Sequence, residues 1–269
     1  MNKINLLLLL LLLGVSLSAD VKDKWKINIG TMFVTDFETD MQLSPKNIPL
    51  ALRINTKDQL DMKTDTNVFR LDGYYRFTDS HSIDFTYFSV KSNGYKSINE
   101  DIIWDNKTIS AGARIDSFFN MDIYKLNYGY SFYHNEKVEL LVSAGLHITT
   151  LDIGIAAQGT IDGVSSQAYS SSGGATLPLP VFGFKGEYTI IDKKLFVNYK
   201  ADYLFIEFDD YKGSLVTSAL GFEYRFMENV GVGIGYNINK IIIEADDGAK
   251  KFEVENTLSG AMLYFTYIY

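Results

Sequence analysis

Apolar and polar residues alternate with a period of two along most of this chain. The stretch from Asn67 to Phe77 has a clear alternation, with one face formed by Phe69, Leu71, Tyr75 and Phe77 and the other by Arg70, Asp72, Tyr74 and Arg76. Successive side chains of a β-strand point to opposite faces of a sheet. The alternation therefore predicts an all-β protein whose strands are apolar on one side and polar on the other.

The same alternation predicts about ten strands, with eight or twelve as the alternatives. Their approximate ranges are 26–35, 67–77, 82–90, 120–133, 138–150, 179–190, 195–207, 214–226, 230–237 and 257–269. Very short polar turns follow the second, fourth, sixth and eighth strands, at 78–81, 134–136, 191–194 and 228–229. Longer connections follow most of the other strands, so the two ends of the predicted sheet differ.

The longer connections lack a clean alternation. Residues 36–65, which carry two prolines, and residues 151–177, which are rich in glycine and serine, are predicted to be loops. Residues 91–117 either extend the neighbouring strands or hold a small hairpin. Shorter polar loops are predicted at 209–212 and 244–256.

Aromatic residues recur where strands enter the short turns. They are Tyr75, Phe77, Tyr130, Phe132, Tyr224, Phe226, Tyr267 and Tyr269. The sixth strand follows this rule only weakly, with Tyr188 and Ile190. Aromatic side chains at one common depth form the girdle of a membrane-spanning barrel at the membrane–water interface. A soluble barrel has no reason to place them there, so the spacing favours a membrane protein.

The last strand, Thr257 to Tyr269, carries an apolar ridge that ends on an aromatic residue. The ridge consists of Ala261, Leu263, Phe265, Tyr267 and Tyr269. An edge strand of a soluble sheet could show the same pattern. The segment nevertheless resembles the carboxy-terminal assembly signal of bacterial outer-membrane β-barrel proteins. With the alternation, girdle and unequal connections, the resemblance extends over the mature chain, and small porin-like or OmpW-like barrels are the nearest class.

That resemblance implies a fold, a location and partners. The fold is a transmembrane antiparallel up-and-down β-barrel with short periplasmic turns and long extracellular loops. The location is the bacterial outer membrane after Sec-type export. The expected partners are outer-membrane lipid and lipopolysaccharide, the barrel assembly machinery through the carboxy-terminal strand, and a small solute.

The amino-terminal 19 residues have the pattern of a secretory signal peptide. Lys3 gives a basic start, Leu6–Leu13 an apolar run and Ser16–Ala19 a set of small residues, with cleavage after Ser18 or Ala19. Residues 20–269 are then a single barrel domain. The 269 residues include no cysteine, so a lipoprotein anchor and disulfides are excluded for this chain.

The bulk composition narrows the choice of fold without deciding it. Mean hydropathy is −0.02, although the chain has 18 Tyr, 18 Phe and 21 Gly. These values fit a transmembrane barrel and also a secreted β-sandwich. The formal net charge of −8 argues against nucleic acid as a partner.

Charged residues of both signs lie on the non-aromatic face of neighbouring strands. A charge on the lipid side of a barrel costs about 2–4 kcal/mol at the membrane midplane, so this face should enclose the lumen. It forms either a salt-bridged, water-containing core or a narrow polar passage. The predicted lumen network comprises Arg70, Asp72, Arg76, Asp84, Lys125, Glu139, His147, Lys185, Glu187, Lys200, Asp202, Glu223 and Arg225.

Three glycines, Gly231, Gly233 and Gly235, also face inward in this interpretation. Glycine in a strand marks curvature or the close approach of another group. We expect close packing against a bulky lumen residue such as Tyr74, with a ligand groove as the alternative.

Catalysis has a weak basis in the sequence. Ser143 and His147 share the polar face with Glu139, but four residues of strand separate the serine and the histidine by about 13 Å. The resemblance to the ten-stranded omptin proteases stops at architecture, because their Asp-x-His arrangement is absent. The acidic pairs at 209–210 and 246–247 bind divalent cations that bridge lipopolysaccharide or simply keep loops solvated. We predict no catalytic residue, metal or cofactor.

Three functions are compatible with these features. The first is an integral outer-membrane protein that is structural or forms a narrow porin-like channel for small solutes. The second is a surface protein that acts in adhesion or interaction through its loops. The third is a hydrolase embedded in the barrel. The residues themselves favour a protein that is not an enzyme.

Overall fold

The structure, a computed structural model, describes residues 23–45, 52–62, 67–105, 107–208, 211–246 and 250–269. The predicted signal peptide therefore lies outside the described residues. The strands are β1 (Trp25–Pro45), β2 (Leu52–Asn55), β3 (Asn67–Thr78), β4 (His81–Ser97), β5 (Ile102–Trp104), β6 (Lys107–Ile109), β7 (Arg114–His134), β8 (Val138–Ile161), β9 (Val164–Ile191), β10 (Leu195–Phe208), β11 (Tyr211–Arg225), β12 (Val230–Asp246) and β13 (Lys250–Ile268). Within these ranges there is no helix long and apolar enough to cross a membrane.

Ten of the strands close into a ring. In order around the ring they are β1, β3, β4, β7, β8, β9, β10, β11, β12 and β13, and β13 pairs with β1. Every neighbouring pair is antiparallel. The ring confirms the predicted fold class, an up-and-down barrel of ten strands. The short strands β2, β5 and β6 are additions at one end.

The ring closes with a large stagger. Following paired residues from Trp25 through each strand in turn leads back to β1 at Glu38, 13 positions further along. One of those positions belongs to the bulge between Val34 and Asp36. A stagger of this kind requires strands that tilt across the barrel axis. Residues far apart in sequence thereby reach the same height in the lumen.

The two faces of the wall point as the alternation predicts. Phe69, Leu126 and Phe265 are more than half exposed on the outside, whereas Asp84 and Glu223 are buried inside. An outer surface this rich in large apolar side chains is stable against hydrocarbon rather than water. The charged face accordingly surrounds the lumen.

The prediction of a loop at 36–65 is wrong for 36–45 and 52–55, which are strands, whereas 46–51 and 63–65 lie outside the described residues. Strand β1 continues to Pro45 and pairs there with β13 on one side and with β2 on the other. Beyond β2, Met62 bridges to Gly94 of β4, so this connection continues the wall above the end of β3. Pro45 misled the prediction, because proline is tolerated at a strand end.

The prediction of a loop at 151–177 is also wrong. These residues form the upper parts of β8 and β9, which pair from Val138–Tyr188 to Ile161–Val164. Asp162 and Gly163 make the turn, both with positive φ (48° and 79°). An Asp-Gly pair is the sequence typical of a tight hairpin, so this signal was present in the chain.

Both alternatives for residues 91–117 occur together. Strand β4 extends to Ser97 and β7 begins at Arg114, while β5 and β6 form a small hairpin between them. The predicted loop at 244–256 is much shorter, because β12 reaches Asp246 and β13 begins at Lys250. The acidic pair at 209–210 and the second member of the pair at 246–247 lie outside the described residues.

The barrel interior has two levels. Next to the short turns it is polar, and towards the long hairpins it is filled by an apolar cluster that includes Val90, Phe119, Met121 and Leu258. The rings of Phe37 and Phe119, on β1 and β7, meet with their centroids 5.2 Å apart although two strands lie between them in the wall. Apolar side chains thus fill the lumen at this height.

The aromatic residues of the predicted girdle lie at the end of the barrel that carries the short turns. Trp25, which the prediction missed, belongs with them, because its ring packs on Tyr75 at 4.4 Å and its backbone pairs with Tyr269. His81 stacks on Phe77 with centroids 5.9 Å apart. Seven of the eight predicted girdle residues are exposed, and Tyr75 is half-buried under the indole.

Candidate functional site

The polar level of the lumen is the candidate site. All thirteen residues predicted for it lie at inward positions of the wall. Those that are buried are Arg76, Asp84, His147, Asp202, Glu223 and Arg225. Those that are half-buried are Arg70, Asp72, Lys125, Glu139, Lys185, Glu187 and Lys200. Four of their ion pairs join strands that are not neighbours in the ring, so these pairs cross the lumen: Arg76–Glu139, Lys185–Asp84, Lys125–Asp202 and Lys200–Asp72.

The lowest ion pair joins Arg76 of β3 to Glu139 of β8. Two guanidinium nitrogens donate to the two carboxylate oxygens at 2.7 and 2.9 Å, and a further bond of 3.1 Å goes to the carbonyl of Asp79. The two strands are separated in the ring by β4 and β7. A two-bonded arginine–carboxylate pair is among the strongest polar contacts in proteins, so this pair braces the lumen near the short turns.

A second group surrounds Glu223, which is fully buried. Lys26 approaches its carboxylate at 2.7 Å and Arg225 donates to it at 3.0 Å. Arg225 also bonds Asp23 at 2.9 Å, and Lys26 reaches Glu187 at 3.5 Å. The prediction omitted Lys26 and Asp23. Lys26 lies on the same inward face of its strand as Asn28, so the alternation alone could have identified it.

Higher in the lumen, Asp72 and Asp84 collect donors from several strands. Asp72 accepts from Arg70 Nε at 3.0 Å and from Asn28 Nδ2 at 2.8 Å. Asp84 of β4 pairs with Lys185 of β9 across the lumen. The guanidinium of Arg70 also donates a hydrogen bond to the side-chain oxygen of Asn237 on β12, at 3.0 Å.

The highest cross-lumen pair is Lys125 of β7 with Asp202 of β10. Asp202 also accepts from the hydroxyl of Thr217 at 2.9 Å and from the amide of Asn127 at 3.4 Å. A buried ion pair is tolerated when further hydrogen bonds satisfy its remaining lone pairs. These extra donors explain how the pair is held at the boundary of the apolar level.

A cavity of about 70 Å³ lies between these pairs. A single water occupies roughly 10–15 Å³ of such volume, so the cavity has space for a few water molecules or one small ion. Its lining includes Tyr74, Tyr264 and Asn198 beside the charged residues. The cavity is therefore polar and small.

Of the three glycines on β12, Gly233 packs against a bulky aromatic residue, which is Tyr264 rather than the expected Tyr74. A side chain at Gly233 would coincide with the ring of Tyr264 on the neighbouring strand. Gly231 and Gly235 are also tightly enclosed, by Thr266 and by Met262. The close-packing interpretation fits this arrangement.

His147 is fully buried at the top of the polar level. Neither ring nitrogen has a hydrogen-bond partner among the described residues. Its neighbour on β7 is Lys125, and Glu139 lies near the opposite end, bound to Arg76. The structure therefore does not bring Ser143, His147 and Glu139 together. In the described ranges, no group of three or more His, Cys, Asp and Glu side chains could hold a metal ion.

Comparisons with known proteins agree with the architecture. The sequence profile described as "Outer membrane protein beta-barrel domain" matches residues 6–265. No curated protein sequence matches the chain.

Solved structures that match the chain include outer-membrane proteins. The outer membrane protease OmpT from Escherichia coli is 11% identical, with a TM-score of 0.59 over 95% of this chain and 100% of that one. The translocator domain of the autotransporter NalP from Neisseria meningitidis is 10% identical (TM-score 0.43; 99% and 96% covered). The Pseudomonas putida toluene transporter TodX is 8% identical (TM-score 0.35; 93% and 91% covered). At these identities, the likeness to OmpT concerns the fold alone.

Proposed function

The chain belongs to the outer membrane protein beta-barrel domain family, and on that premise we propose that it is a structural barrel with a closed, ion-paired lumen. The observation that carries the proposal is the set of ion pairs between strands that are not neighbours. Arg76–Glu139, Lys185–Asp84 and Lys125–Asp202 cross the lumen at successive heights. A barrel of ten strands is little wider than the eight-stranded barrels that side chains fill, so these pairs leave little room for a solute.

The opposite end of the barrel supports the same proposal. The β5–β6 hairpin buries Ile102 and Ile109 against the apolar cluster. Asp105 on this hairpin accepts hydrogen bonds from Tyr169 at 3.2 Å and Ser171 at 2.9 Å, both on β9. The hairpin is thus fixed to the tall β8–β9 wall and packs over the apolar level. A solute would have to displace both levels to pass.

Conductance across a planar lipid bilayer tests the proposal. Refolded protein is expected to give no steady single-channel current at neutral pH. A variant that removes two lumen pairs together, Arg76→Ala with Glu139→Ala and Lys125→Ala with Asp202→Ala, is expected to conduct, because no buried charge is left without a partner while space is created. The matched control removes the exposed pair Lys240–Glu255, and it should stay closed.

A steady, ohmic current from the unmodified protein would contradict the closed barrel and favour the narrow porin-like channel for small solutes. In that case the paired lumen variants should increase the current and the Lys240–Glu255 control should leave it unchanged. Equal currents in all three proteins would indicate leakage around the barrel instead.

A second candidate function, interaction at the cell surface, is favoured by the edge of β9. Among the described residues, β9 pairs with β10 only as far as Phe182–Tyr203, so the part above pairs with β8 alone. No charged residue occurs from Val164 to Phe184. Exposed edges are normally protected by charge, so an uncharged one is suited to accept another strand.

Self-association is the direct test of this edge, because two uncharged edges can pair without repulsion. Sedimentation of the detergent-folded protein should reveal a dimer that is lost in the variant Ser170→Lys with Ser172→Lys. The control Glu136→Lys alters charge at the opposite rim and should leave the dimer intact. A monomer at every concentration would count against strand pairing between copies.

We propose that the barrel is not an enzyme, since Ser143 and His147 lack the mutual contact that acyl transfer needs. Hydrolysis of ester substrates that His147→Ala abolishes, in a variant that still folds, would overturn this view. The exposed ridge of Leu263, Phe265 and Tyr267 on β13 supports contact with lipid and lipopolysaccharide and recognition by the barrel assembly machinery. Export through a Sec-type signal peptide at 1–19 stays a prediction.

A further inference from the structure

Two lysines of the lumen lie directly opposite each other. Lys185 on β9 and Lys200 on β10 are register partners, and both point inward. Side chains at such positions begin about 4.5–5.5 Å apart, and like charges there repel. Lys185 is compensated by Asp84, with which it pairs. Lys200 has no comparable partner.

The nearest carboxylate to Lys200 is that of Asp72, at 3.9 Å. Among the described residues it is the sole acidic group within 4 Å of this ammonium. Asp72 is already engaged by Arg70 and by Asn28 at 3.0 and 2.8 Å. The ammonium of Lys200 is therefore held in the lumen by one long and shared contact.

The cavity beside Lys200 is lined by five cations, and Lys200 is the most weakly paired of them. Its cationic lining residues are Lys26, Arg70, Arg76, Lys185 and Lys200. Its acidic lining residues are Asp72, Glu139 and Glu187, and the partners of Lys185 and Lys26, Asp84 and Glu223, bring the acids to five. The other four cations each have a carboxylate oxygen within 3.0 Å, so the ammonium of Lys200, at 3.9 Å from its nearest one, is the least compensated. The cavity volume of about 70 Å³ is enough for a small inorganic anion.

We propose that the lumen binds a small monovalent inorganic anion, such as chloride, beside the ammonium of Lys200. The anion offsets the repulsion between Lys200 and Lys185 and gives the ammonium of Lys200 a partner of its own. The amide of Asn198, which also lines the cavity, supplies a neutral donor beside it. The site goes beyond the structural role proposed above, since a closed barrel and a conducting barrel could both contain it.

Thermal unfolding of the detergent-folded protein tests the site with chloride itself. The melting temperature is measured in sodium chloride and in sodium gluconate of equal ionic strength, because gluconate is a much bulkier anion than chloride. The unmodified protein should gain stability from chloride in a saturable way. Lys200→Met, which keeps the side-chain length, should lose this gain, while the surface control Lys240→Met should retain it.

Crystals soaked in sodium bromide provide a second measurement that does not depend on a variant. Bromide scatters anomalously, and we expect a peak within hydrogen-bond distance of Lys200 Nζ. Equal melting temperatures in chloride and gluconate, or a chloride gain that persists in Lys200→Met, would overturn the proposal. So would an empty cavity in the bromide-soaked crystal. None of these outcomes depends on the conductance of the barrel.

Discussion

The ring of Tyr264 occupies the space where a side chain of Gly233 would stand. The two residues are register partners on β12 and β13, and both face the lumen. A large residue and an absent side chain at facing positions let the wall and the polar lumen pack closely together. This pair also fixes where the aromatic ring lies beside the cavity.

Gly233→Ala should therefore lower the free energy of unfolding by about 1–3 kcal/mol, the usual cost of overpacking. Urea unfolding in detergent, followed by tryptophan fluorescence, measures the change. In a Tyr264→Ala background, Gly233→Ala should cost less stability than it does in the unmodified protein. In a Tyr264→Phe background, Gly233→Ala should cost as much stability as in the unmodified protein, because the ring remains. Equal costs in both backgrounds would contradict the steric explanation.

Removal of one partner from the Lys125–Asp202 pair should be far more harmful than removal of both. Lys125→Met leaves a buried carboxylate without its cation and is expected to cost about 3–5 kcal/mol of stability. The double variant Lys125→Met with Asp202→Leu should recover most of this loss. The matched single change in an exposed pair, Lys240→Met, should cost about 0–1 kcal/mol. A double variant as unstable as the single one would exclude pairing as the cause.

A charge on the outer wall should be harmful at mid-height and tolerated at the rim. Leu220 lies six residues from Phe226, about 20 Å along the tilted strand, and both side chains are exposed. Leu220→Arg should destabilise the protein by about 2–4 kcal/mol and Phe226→Arg by about 0–1 kcal/mol. Unfolding from lipid vesicles measures both. Similar costs at the two positions would mean that the apolar band has been placed at the wrong height.

The attachment of the β5–β6 hairpin should depend on pH. Hydrogen bonds from the Lys107 ammonium and the Thr108 amide lower the pKa of Asp162 below its ordinary 3.8. The pKa of Asp162 is lower in the folded state than in the unfolded state. The contact therefore stabilises the hairpin at pH values above the ordinary pKa, and this stabilisation is lost as the pH falls through the lowered pKa. The protection of the amides at 107–109, measured as exchange relative to the intrinsic rate at each pH, should therefore be high at pH 7 and lower under strongly acidic conditions.

The variant Asp162→Asn separates this titration from other effects of acid. Asparagine also accepts the positive φ of the turn, so the hairpin geometry should persist while the ion pair is lost. At pH 7 the variant should show the reduced protection at 107–109 that the unmodified protein shows in acid, and therefore faster exchange than the unmodified protein at pH 7. Asp192→Asn, in a turn at the opposite rim, is the control. Slow exchange in Asp162→Asn would show that the carboxylate does not hold the hairpin.

Some features were readable from the chain because they depend on neighbours in sequence. The period-two alternation identified the ten ring strands, and the direction of each face follows once the strand is known. Residues such as Phe69 and Arg70 separate onto opposite sides for this local reason. The prediction failed where strands continue past the membrane, at 36–45 and 151–177, because strands in water need no apolar ridge. There, sheet pairing and the Asp162–Gly163 turn decide the structure.

The sequence by itself thus determined an all-β wall, its apolar outer face and the aromatic rim at its short turns. The tertiary structure alone decided which charges meet, such as Arg76 with Glu139 and Lys125 with Asp202. It also decided that Tyr264 fills the space at Gly233 and that Lys200 is left with one long contact. The physical reason is the stagger of 13 positions at closure, which sets the heights at which side chains of distant strands face each other across the lumen.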